Sequence, residues 1–140
     1  MVSTAAPSGP VDGGGVATWT AAELRSVDTA VELEIAVRHS EGDLGRWTPI
    51  WAVCVDGQVY VRTWYRRESG WFGAACRFRR ARVRVPGLAA DVAVEDVADG
   101  PADLRAGVDA AYRAKYGTQG AASMVTPAAA ATTLRLVPDR

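Results

Sequence analysis

Asp56-Gly57 stands between two apolar runs, Trp51-Ala52-Val53-Cys54-Val55 and Val59-Tyr60-Val61. Both turn residues tolerate a positive φ, the requirement of a two-residue hairpin whose twist matches its strands. The dipeptide commits the middle of the chain to an antiparallel pair, Thr48 to Val55 and Gln58 to Trp64. A lone hairpin is marginal in water, so the rest of the chain must cover it.

The flanks supply the cover. Thr20-Ala21-Ala22-Glu23 has the spacing of a capping box, which predicts a short helix to about Asp28 with Leu24 and Val27 turned inward. Val31, Leu33, Ile35 and Val37 alternate with Glu32, Glu34 and Arg38, the period of a strand, and His39 to Arg46 reads as a hairpin loop. Trp71, Ala75 and Phe78 share a helical face. Arg80, Arg82 and Arg84 alternate with Ala81, Val83 and Val85, a strand with one charged edge of the kind that keeps sheets from pairing with strangers. Pro86-Gly87 turns it toward a partner strand over Val92 to Asp96. Asp99-Gly100-Pro101 starts a helix that stops near Gly117. A loop containing Pro127 leads to a last strand, Thr132 to Val137. The pattern is α+β, mainly β: five or six mostly antiparallel strands with short flanking helices, which at 140 residues favours a small barrel.

One domain over residues 17–140 is expected. Residues 1–16, rich in Ser, Ala, Pro and Gly, read as a disordered leader without the form of a secretory signal. No apolar stretch is long enough to span a bilayer, so a cytoplasmic protein is expected. Sixteen basic residues balance sixteen acidic ones, which argues against a general nucleic-acid binder. Cys54 and Cys76 are expected as buried thiols, and two cysteines with one histidine cannot complete a zinc site. His39 is far in sequence from Ser69 and Ser123, and no Gly-x-Ser-x-Gly elbow or phosphate-binding glycine motif is present, so catalytic residues are not identifiable.

What remains is a stretch from Val59 to Val85 holding eight arginines, six aromatics and one acid, Glu68. Arginine grips phosphate or carboxylate, and flat aromatics supply stacking surface. On the third strand Val59, Val61 and Thr63 are the better candidates for the core. Arg62 then projects outward beside Tyr60 and Trp64, to solvent or into a subunit interface. The second strand is apolar on both faces, which calls for a helix or another subunit over it; with the arginine and aromatic face beside it, this suggests a homodimer with a ligand groove at the seam.

Several segments carry a resemblance. Trp19-Thr20-Ala21-Ala22-Glu23-Leu24, Tyr60-Val61-Arg62-Thr63, Ala110-Ala111-Tyr112-Arg113-Ala114-Lys115-Tyr116 and Ala131-Thr132-Thr133-Leu134-Arg135-Leu136 resemble a bacterial family catalogued as domain of unknown function 2255. More distantly, Arg46-Trp47-Thr48-Pro49-Ile50, the Asp56-Gly57 hairpin, Trp71-Phe72 opening a helix and Arg82-Val83-Arg84-Val85 are similar to the flavin and deazaflavin split-barrel oxidoreductases. The resemblance implies a dimeric split barrel in which Arg46, Thr48 and Pro49 border the cofactor. It places Arg62 and Thr63 near a phosphate and Trp71 at the start of the neighbouring helix. Deazaflavin members carry a basic phosphate loop where this chain reads Glu41-Gly42-Asp43-Leu44-Gly45. Two acids there repel phosphate, so FMN is the stronger cofactor candidate, with Arg62, Arg66 and Arg67 on its phosphate and Trp64 or Trp71 against its ring.

Three readings stand at this stage. The first is a flavin-dependent oxidoreductase acting on a small organic substrate. The second is a cofactor-free barrel that binds, or transforms without redox chemistry, a small anionic or aromatic metabolite. The third is a nucleic-acid or protein interaction module using the arginine-rich segment.

Overall fold

The computed structural model describes residues 18–40, 42–64 and 70–140. The leader expected over residues 1–16 lies outside them. Thr20 opens α1 (Ala21–Thr29) through the capping box: its hydroxyl accepts from the Glu23 amide, and the Glu23 carboxylate accepts from the Thr20 amide. Two amides with no helical partner are thereby satisfied, worth about 1 kcal/mol for a typical cap.

Seven strands form one antiparallel sheet: β1 (Leu33–Val37), β2 (Thr48–Ile50), β3 (Ala52–Val55), β4 (Gln58–Val61), β5 (Arg80–Val85), β6 (Leu88–Asp96) and β7 (Leu134–Pro138). Their spatial order is β2-β1-β5-β6-β7-β4-β3. The two outermost strands, β2 and β3, are separated along the chain by Trp51 alone. The single strand expected from Thr48 to Val55 is therefore broken, and its halves pair with opposite ends of the sheet, β1 and β4. The Trp51 carbonyl accepts a hydrogen bond from Tyr112 Oη at 2.9 Å, an anchor outside the strands. This arrangement curls the sheet into a nearly closed split barrel. Asp56 and Gly57 turn β3 into β4 with φ of 50° and 79°, the positive pair the hairpin requires.

The barrel interior is filled by one face of each strand, including Leu33, Ile35, Val59, Val61, Val83, Val92, Leu134 and Leu136. Trp19 joins it from before α1, its indole N–H donating to the Leu136 carbonyl at 3.0 Å. A second, smaller cluster lies outside the barrel wall. There α3 (Ala102–Tyr116) sets Val108 and Tyr112 against Val53 and Tyr60. The two-sided burial of β3 is thus accounted for within one chain.

Four expectations need correction. α2 (Gly70–Phe78) buries Phe72 and Ala75, whereas Trp71 and Phe78 are only partly covered. The helix is rotated so that Trp71 lies on its flank. β5 is no edge: it lies between β1 and β6, and its arginines form ion pairs on the outer face. Arg80 meets Asp139 at 2.8 Å, Arg82 meets Asp91 at 3.1 Å and Arg84 meets Glu34 at 2.8 Å. The segment around Pro127 is not a plain loop. It holds a 3₁₀ turn (Ala122–Met124) and α4 (Pro127–Ala130), capped by Thr126. Cys54 and Cys76 are free thiols, partly rather than fully buried.

Candidate functional site

The split in the barrel opens as a groove of about 870 Å³ along β2. Ligand pockets typically run from about 300 to 1,000 Å³. Four of the chain's five tryptophans, Trp47, Trp51, Trp64 and Trp71, border it. Each arrives on a different support. Trp47 leads into β2, with the Arg84 guanidinium 3.9 Å from its ring centroid. Trp51 is the break between β2 and β3 and lies parallel to Tyr116 of α3, with centroids 4.0 Å apart. Trp64 follows β4 and is 64% exposed. Trp71 lies in the first turn of α2. Aromatic walls and a partly apolar floor from Val37, Ile50 and Met124 suit a flat ligand.

The sequence-derived residues gather here. Arg46, Thr48, Pro49, Arg62, Thr63, Trp64 and Trp71 all border the groove. Arg66 and Arg67 lie outside the described residues. Arg46 is exposed, and among the described residues it makes no ion pair.

Arg62 differs from its expectation. It leaves the barrel wall on the outer face, as the alternation of β4 requires, but reaches neither solvent nor a free surface: its side chain is 0% exposed. Nη1 donates to Asp109 Oδ1 of α3 at 2.5 Å and to the Met124 carbonyl at 2.9 Å, and Nε donates to Thr133 Oγ1 at 2.9 Å. Nη2 is buried and finds no hydrogen-bond partner among the described residues. The outward face of β4 was legible from alternation. The cover over Arg62 was not, because it comes from segments some 50 to 70 positions away. Thr63 is buried beside it, its backbone held by Thr132: Thr63 N–H donates to Thr132 Oγ1 at 3.0 Å, and Thr132 Oγ1 donates to the Thr63 carbonyl at 3.0 Å. The strand leading to Trp64 is thus fixed from below.

His39 and Glu32 are among the groove residues that the sequence did not assign to the site. His39 borders the groove with its ring 4.8 Å from that of Phe78, and Glu32 borders it as well. As the lone histidine in a loop, His39 had no partner in sequence to mark it.

A smaller cleft elsewhere is lined by Asp28, Cys54 and Lys115. Burial pushes the Cys54 thiol up to about 11, so it stays protonated and is a poor nucleophile. Burial lowers Lys115, whose Nζ donates to the Val27 and Ala52 carbonyls at 3.0 and 2.8 Å, tying α1 to β3.

Comparison with known proteins agrees with this architecture. The model of a family described as "Uncharacterized protein conserved in bacteria (DUF2255)" matches residues 23–136, and the chain belongs to that family. A conserved hypothetical protein of Mycobacterium tuberculosis has a similar structure, at 16% identity and TM-score 0.58, over 89% of this chain and 83% of that one. An FAD-binding protein of Mesorhizobium loti is similar at 14% identity and TM-score 0.57, over 89% and 94%. At these identities the likeness is one of fold. No curated protein matches the sequence.

Proposed function

We propose that this DUF2255 protein binds a flavin in the tryptophan-bordered groove, FMN before a deazaflavin, and acts as an oxidoreductase on a small organic substrate. The observation that carries this is the convergence of four tryptophans and the exposed Arg46 on one groove of cofactor size. The split-barrel fold adds support, since a protein of similar fold is described as FAD-binding.

The donor set fits such a ligand. Trp64 and Trp71 would offer aromatic surface to a tricyclic ring, Thr48 and Thr63 would offer polar groups to its heteroatoms, and Arg46 would supply positive charge; all five border the groove. When bound, the flavin supplies hydride-transfer chemistry, while the protein orients it and keeps water from its face. Arg62 is better cast as a positioning residue than as a phosphate ligand. Asp109 already balances its charge, and its hydrogen bonds to Met124 and Thr133 hold the groove wall. We place the protein in the cytoplasm, where its two free thiols stay reduced. As in the sequence reading, it is taken to act as a homodimer. Its interface then lies away from the outer face of β3, which α3 covers.

The test is direct. Protein purified without added cofactor should show flavin absorption, or bind FMN with saturable quenching of tryptophan emission. A colourless protein with no quenching by FMN, riboflavin or a deazaflavin sinks the flavin reading. The cofactor-free alternative has one observation in its favour, the neutralisation of Arg62 by Asp109 rather than by a phosphate. It predicts quenching by small aromatic carboxylates instead.

A further inference from the structure

Among the described residues, the groove is electrically polarised along its length. Glu32 precedes β1 and His39 follows it, and both border the groove. Seven residues at about 3.3 Å each set their backbones roughly 20 Å apart. The register then sorts the remaining groups. Leu33 pairs with Ile50 and Ala52 with Val61, so Trp51 and Arg62 belong to the Glu32 end. Ile35 pairs with Thr48, and the Arg38–Leu44 bridge brings Gly45 and Arg46 back to the His39 end. Among the described residues, the groove's cation at the Glu32 end, Arg62, is cancelled by Asp109, which leaves Glu32 as the uncompensated charge there. At the His39 end Arg46 is exposed, and no acid borders the groove there among the described residues. Of the two acids in that loop, Glu41 lies outside the described residues, and Asp43 is not a groove residue; the Asp43 carbonyl accepts the His39 backbone N–H at 2.9 Å.

His39 is built into this end rather than left to wander. Its ring packs on Phe78, and Gly45 makes room for it: a Cβ on Gly45 would fall 2.9 Å from His39 Nε2. Neither ring nitrogen has a hydrogen-bond partner among the described residues. An imidazole held against an aromatic ring, with free nitrogens, and an exposed guanidinium at the same end of the groove offer donors to an oxyanion.

We propose that Arg46 and His39 form the anion-binding end of the groove, so that a ligand lies with its phosphate or carboxylate there and its uncharged ring system toward Trp51 and Glu32. This rests on the groove being the ligand site, and it reassigns the anion contact from Arg62 to Arg46 and His39.

FMN and riboflavin share a ring and differ by the phosphate, which makes them the probes. Titrations of the full chain, followed by tryptophan quenching, should show FMN binding about tenfold or more tightly than riboflavin, the scale of one charge-assisted hydrogen bond. Arg46→Gln and His39→Gln should each remove most of that preference and leave riboflavin affinity unchanged, with wild-type circular dichroism spectra. Equal affinities for the two flavins in the wild type, or equal losses for both in the variants, would overturn the assignment. If neither flavin quenches, the flavin function fails but the polarity is still decided. 8-Anilinonaphthalene-1-sulfonate, an aromatic anion, should then bind in a manner sensitive to both variants, while uncharged N-phenyl-1-naphthylamine should not. Insensitivity of the sulfonate to both variants would overturn the assignment by that route.

Discussion

Replacing Asp109 by alanine should be far more harmful than its half-surface position suggests. The Asp109 side chain is 17% exposed, but its partner Arg62 is 0% exposed and keeps its charge when the carboxylate is gone. The Thr133 hydroxyl and Met124 carbonyl would remain as hydrogen-bond acceptors, and neither carries a countercharge. Stranding a buried charge costs about 3–5 kcal/mol. Arg62→Met removes the charge along with its hydrogen bonds, leaving Asp109 with some access to water, at about 1–3 kcal/mol. The double variant leaves neither charge and should also lose only about 1–3 kcal/mol, well below the sum of the singles. Urea unfolding followed by far-ultraviolet circular dichroism measures all three. With an m-value of roughly 2 kcal/mol/M, Asp109→Ala should lower the midpoint by about 2 M. If the double variant loses the sum of the single losses to within about 0.5 kcal/mol, the two residues are not coupled and the account of Arg62 as a buried, countercharged pillar is wrong.

Three further expectations follow from other contacts. Hydrogen bonding from Arg140 holds the Glu23 carboxyl down to about 2 from its ordinary 4.5. Because the folded value is depressed, this stabilisation is present above about 4.5 and lost as pH falls toward 2. Arg140→Ala should flatten the acid limb of a pH–stability curve in that window. Tyr112→Phe should cost about 1 kcal/mol by removing the hydrogen bond to the Trp51 carbonyl, read as a lower urea midpoint with unchanged slope. Each β5 arginine is paired with an acid, so retention on immobilised heparin should end below physiological salt; tight retention with a steep salt dependence would restore the interaction-module reading.

Much of the fold was written in local signals. The Thr20–Glu23 box, the Asp56-Gly57 turn and the Pro86-Gly87 turn each act within four residues, and each forms where the spacing places it. The inward valines of β4 follow from a two-residue period and a buried face. What was not legible depends on distant chain. Nothing within Thr48 to Val55 says that the strand must break, because the reason is a barrel whose two ends both need a partner. Arg80, Arg82 and Arg84 look like an edge until Glu34, Asp91 and Asp139 are brought opposite them. The groove residues Arg46, Thr48, Thr63 and Trp71 came from family likeness, whereas the alternation of the third strand set Trp64 beside Arg62. His39 emerged only once the loop folded it over Phe78.

The one-residue connection between β2 and β3 sets a limit on how this family can diversify. A strand alternates its faces residue by residue, so a single insertion or deletion beside Trp51 would turn Ala52 and Cys54 out of the interior and Val53 into it. It would also displace the carbonyl that Tyr112 holds. A length change is therefore costly where both barrel ends meet and is better accommodated in the loops at the groove rim. New ligand preferences can arise there by changing what borders the groove while the barrel beneath keeps its register.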